Sequence, residues 1–100
     1  MTMSAEKFRR LMEVKTELET LKAQTLVVNR RYNDELNSMN YELEQRLGEA
    51  GSAITDDERH NLYDLYCLRL VRAMRARFVG LRALDARFQQ CVKIVNDIDN

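Results

Sequence analysis

Few residues in this chain have the chemistry to act on another molecule. They are one histidine, His60, two cysteines, Cys67 and Cys91, and a run of cations from Arg69 to Lys93. A metal centre needs several imidazole or thiolate ligands converging on one point. His60 has only Asp56, Asp57 and Asp64 nearby, with Cys67 two helical turns away, so it reads as a surface histidine. No Ser-His-Asp or Cys-His pairing has a spacing that would activate a nucleophile. Neither a catalytic residue, a metal ligand nor a cofactor site is therefore expected.

The cation run is more pronounced. Arg69, Arg72, Arg75, Arg77, Arg82, Arg87 and Lys93 are opposed only by Asp85, a local net charge of +6 in a chain whose 16 cations and 16 anions cancel over its full length. Guanidinium groups bind phosphates well, and a helix can present them along a groove. On a helical wheel, however, Arg75, Arg82 and Lys93 share one outer face with Arg72 nearby, and no aromatic residue interleaves with them. Arg72, Arg75 and Arg82 thus form a basic patch suited to an acidic partner, with nucleic acid as the alternative ligand.

What could position these groups is legible from periodicity. One hundred residues make at most one domain, rich in Leu, Arg, Glu, Ala and Met, with no Pro or Trp and three glycines. From Ser4, a candidate N-cap, the apolar series Leu11, Val14, Leu18, Leu21, Thr25, Val28, Tyr32, Leu36, Met39, Leu43, Leu47 advances in steps of three and four. That is a helical stripe, predicting a first helix over about residues 4–47. Two glycines then fall in Gly48–Ile54, which reads as a turn. Thr55-Asp56-Asp57-Glu58 is a capping box opening a second helix over about residues 55–97. Its core stripe is read as Tyr63, Tyr66, Leu70, Met74, Phe78, Leu81, Leu84, Phe88, Cys91, Val95, Ile98. The fold class is all-α: an antiparallel, coiled-coil-like two-helix hairpin forming a single domain over 1–100. Folding it about Gly51 sets Val28 against Met74 and Leu21 against Leu81, and brings Glu17 to Arg87, Glu35 to Arg69 and Lys15 to Asp85.

The second helix carries another line as well: Leu62, Leu65, Arg69, Ala73, Ala76, Gly80, Ala83, Arg87. Small residues at its centre allow a neighbouring backbone to approach closely. The line is nearly palindromic about Phe78, the symmetry an antiparallel two-fold contact between two copies would use. These eight residues are the expected partner interface, with Arg69 and Arg87 orienting it. Since one small hairpin buries little, a homodimer assembling as a four-helix bundle, or another helical protein, is the expected partner. Tyr32, Tyr41, Tyr63 and Tyr66, with Asn29, Asn33, Asn37 and Asn40, mark the turn end as a wetter recognition surface.

These readings describe a non-enzymatic interaction protein: an adaptor, small chaperone, or assembly or regulatory factor. A remoter alternative is a small helical enzyme similar in size to chorismate-mutase bundles, with Arg9, Arg30 and Arg31 facing inward at a dimer, although the regular Arg and Ile-Asp pattern of that family's first helix is absent. No run of about 18 uncharged apolar residues exists to span a membrane, and the first residues lack a signal peptide's apolar core. Cys67 and Cys91, some 36 Å apart on one helix, lie beyond disulfide reach. A cytoplasmic location with both thiols reduced and buried is expected.

Overall fold

In a computed structural model, the structure describes the backbone of residues 4–99 and the side chains of residues 4–98. Helix α1 spans Ala5–Ala50, a 3-10 turn covers Gly51–Ala53, and helix α2 spans Asp56–Asp99. The two helices pack against each other as an all-α hairpin, with no strand among the described residues.

Both helix starts are fixed by side-chain caps. The Ser4 hydroxyl accepts the Lys7 amide at 3.1 Å, and Glu6 sits in the first turn, where the helix dipole favours an anion. At α2 the Glu58 amide donates to the Thr55 hydroxyl at 3.1 Å, and the Thr55 amide donates to the Glu58 carboxylate at 3.4 Å. That is the reciprocal capping box, reinforced by Asp56 and Asp57 in the first turn.

The turn is shorter and later than expected. α1 runs through Gly48 and stops only at Gly51, whose φ of +56° lies in the left-handed region that glycine enters without a Cβ penalty. Ile54 is extended, and the connection is therefore centred near Ala53. This moves the pairing of the two helices. Val28 meets Gly80, not Met74, a displacement of six residues or about 9 Å along α2. The long charged side chains tolerate the shift: Arg87 still reaches Glu17 and Arg69 still reaches Glu35. The shorter reach of Asp85 does not, and among the described residues Lys15 and Asp85 form no ion pair.

Contacts gather into two compact units, a terminal one drawn from Met1–Val28 and Val79–Asn100 and a turn-proximal one, Asn29–Phe78. In the terminal unit Val14, Leu21 and Cys91 form a buried cluster with Leu84, Ile94 and Val95 against it. Thr25 keeps its place on the inner line of α1 because its hydroxyl donates to the Leu21 carbonyl at 2.8 Å. In the turn-proximal unit Met39 and Tyr66 are buried, with Leu36, Leu43, Leu62, Leu70 and Ala73 half-buried. The α1 stripe faces inward almost throughout; Leu18 is its one exposed member.

On α2 the inward line differs from the expected stripe. From Tyr66 the stripe takes three successive four-residue steps, each advancing about 40°, so Phe78 ends about 120° from Tyr66. Met74 and Phe78 are accordingly 52% and 62% exposed. Seven-residue steps hold the inward direction instead: Tyr66 and Ala73 in one unit, Leu84, Cys91 and Ile98 in the other.

The two turn glycines should respond oppositely to alanine. Neither has a neighbour within 4 Å where a Cβ would stand, so only backbone conformation differs. Gly51→Ala should lower stability by about 1–2 kcal/mol through its positive φ. Gly48→Ala, inside α1, should raise it by about 0.5–1 kcal/mol through helix propensity. Urea midpoints of the two variants check both signs.

Candidate helix-contact surfaces

Each unit combines an arginine bridge between the helices with a set of exposed apolar side chains. In the turn-proximal unit the bridge is Arg69. Its guanidinium lies over the Tyr66 ring, 5.4 Å from the centroid, donating to Glu35 at 3.1 Å and also to Glu42. Glu35 and Glu42 are two helical turns apart on one face of α1, so a single planar fork spans both. The Tyr66 hydroxyl donates to the same Glu42 carboxylate at 3.4 Å. Arg77 lies over Tyr32 at 5.1 Å and donates to Asn29 at 2.9 Å.

The terminal unit repeats the device. Arg87 donates to Glu17 through Nε and Nη2 at 2.9 and 2.6 Å, and to Gln24 through Nη1 at 2.8 Å. Glu17 and Gln24 are again seven residues apart. Glu42, Gln24 and the Arg77–Asn29 bond were not among the expected pairs; a search for polar residues seven apart on α1 would have found the first two.

Glu42 holds its proton below the usual carboxylate range, chiefly because it accepts the Arg69 hydrogen bond and then because of that arginine's charge. Arg69 is pushed correspondingly upward, first by Glu42 and then by Glu35.

The expected partner line on α2 is thereby distributed between inside and outside. Leu62, Arg69 and Ala73 in one unit, and Gly80 and Arg87 in the other, are half-buried within the hairpin. A Cβ on Gly80 would stand 3.3 Å from Val28 Cγ2, so the close approach this glycine permits is to its own α1. Leu65, Ala76 and Ala83 remain exposed. Arg72, Arg75 and Arg82 are exposed and form no ion pair among the described residues. Of the remaining arginines considered, Arg9 pairs with Glu13 at 3.8 Å on the surface, and Arg30 and Arg31 are exposed. His60 and Cys67 are exposed and only Cys91 is buried; both thiols are free. Among the described residues no group of three His, Cys, Asp or Glu side chains could hold a metal ion, and no helix is long and apolar enough to cross a membrane. Of the tyrosines, Tyr41 and Tyr63 are exposed, while Tyr32 and Tyr66 serve the arginine stacks.

The apolar flanks were not foreseen. In the turn-proximal unit Tyr63, Cys67, Val71, Met74 and Phe78, spaced 4, 4, 3 and 4, are all exposed on α2. In the terminal unit Leu18, Leu21, Thr25, Leu81, Leu84 and Phe88 line an open groove of about 500 Å³, with Lys22 and Asp85 on its rims. A smaller hollow of about 170 Å³ adds Val14, Cys91, Val92, Val95 and Asn96.

Comparison with known proteins finds no matching family model, no matching curated protein and no matching solved structure.

Two measurements follow from the bridges and from Gly80. Glu42's folded value lies below its unfolded one, so its contribution is present above about pH 4.3 and is lost as pH falls through the folded value. The stability gap between wild type and Glu42→Gln should therefore be larger at pH 7 than at pH 3, read from urea midpoints. Gly80→Leu should lower the melting temperature through contact with Val28, whereas Ala83→Leu, at an exposed position, should leave it within about 2 °C; equal losses would contradict the placement of Gly80.

Proposed function

We propose that this chain is a non-enzymatic helical interaction protein, an adaptor, small chaperone, or assembly or regulatory factor, acting through helix–helix contacts. One observation carries the reading. The chain exposes 8163 Å² of surface, whereas a compact monomer of 11.8 kDa exposes about 5900 Å². The excess of roughly 2200 Å² is the size one partner contributes to a large, permanent interface. Its composition fits that use. Among the described residues six apolar ones are buried, none fully, while fifteen large ones are exposed, including Phe8, Leu26, Met74, Phe78 and Phe88. Contiguous exposed apolar surface on helices is where another amphipathic helix docks.

A second reading rests on Arg72, Arg75 and Arg82, which have no carboxylate partner among the described residues while Arg69 and Arg87 are bridged. They are free to meet phosphates or an acidic protein. Binding to nucleic acid would weaken steeply with salt and depend on these three side chains.

The test is the mass of the chain purified with its partners retained. We expect a mass above 11.8 kDa, and at least about tenfold weaker association for Phe78→Glu, whose ring is 62% exposed and so contributes little to the hairpin itself. A folded wild-type monomer with nothing bound across the micromolar range would overturn the reading.

A further inference from the structure

The terminal unit's groove carries unlike charges on its two rims. Lys22 stands on the α1 rim and Asp85 on the α2 rim, facing one another across Leu18, Leu21, Leu84 and Phe88. Neither forms an ion pair among the described residues. The opposite flank of the same unit is closed by Arg87, Glu17 and Gln24, so the open, apolar side is the one available for docking.

Resting on the interaction reading above, we infer that this groove is covered by the same groove of a second copy of this chain, with the two-fold axis running along the helices. The axis direction follows from the charges. An axis along the helices lays α1 of one copy over α2 of the other at the same height. Lys22 then meets Asp85 of the second copy, and Asp85 meets its Lys22, two unlike pairs made by one symmetry operation. An axis across the helices would lay α1 on α1 and α2 on α2, bringing Lys22 toward Lys22 and Asp85 toward Asp85. That alternative sets like charges together, which costs affinity. Phe88, Leu18 and Val92, now 45%, 37% and 37% exposed, would supply the apolar centre.

Charge reversal tests the arrangement in sedimentation equilibrium on the full chain. Lys22→Glu alone sets a carboxylate against Asp85 of the second copy, and Asp85→Lys alone sets an ammonium against its Lys22. Each variant should dimerise about tenfold or more weakly than wild type. An equimolar mixture of the two restores an unlike pair and should regain a two-copy mass that neither variant reaches alone. Zero-length carbodiimide coupling of unsubstituted protein gives a second measurement. A mixture of ¹⁵N-labelled and unlabelled chains should yield Lys22–Asp85 linked peptides carrying one label each. Singly reversed variants that dimerise like wild type, or linkage only within one chain, would overturn the inference. A complex with a different helical protein and no second copy would overturn it too, while leaving the interaction reading standing.

Discussion

Two cylinders lying side by side touch along one line, and everything else about this hairpin follows from how little that line can bury. Residues on it must be small enough to let the helices close and apolar enough to reward closure. Gly80 against Val28, at 3.3 Å for a notional Cβ, shows how near the backbones come in the terminal unit. Elsewhere the burial is modest: among the described residues six count as core, and none is completely enclosed.

Polar contacts answer part of this shortage. Within each unit an arginine from α2 spans two acceptors on α1: Arg69 over Glu35 and Glu42 in one, Arg87 over Glu17 and Gln24 in the other. A lysine could not do this, since its compact ammonium lacks the flat fork that reaches acceptors two turns apart. These exposed bridges add little stability individually. They fix which residues face each other within each unit. The exposed apolar residues of each unit receive no such treatment.

The architecture was written plainly in the chain. Steps of three and four between apolar residues, the Ser4 cap and the Thr55–Glu58 box each specify helix locally, and each appears where expected. The α1 stripe was equally clear because it has one apolar face. α2 offered two apolar lines to choose between, and periodicity alone does not say which line turns inward. The turn and the step pattern decided it: ending α1 at Ala50, not near Leu47, moved Val28 from Met74 to Gly80, and successive four-residue steps carried Met74 and Phe78 outward. A glycine's choice of positive φ at 51 but helix at 48 is not visible in composition. The candidate surfaces inherited that ambiguity, so the small-residue line was legible as a close-contact line, but the neighbour at Gly80 is the chain's own helix.

The division into units also bears on the order of folding. The turn-proximal unit is one continuous segment, and its Tyr66–Glu42 contact spans 24 residues. The terminal unit is assembled from both chain ends, and its Arg87–Glu17 bridge spans 70. Closing the longer loop first costs about 1 kcal/mol more in chain entropy than closing the shorter one. Chain entropy thus favours closing the turn-proximal unit before residues 79–98 come to lie against residues 4–28. Until those two segments meet, Val14, Leu18 and Leu21 have no α2 side chain beside them.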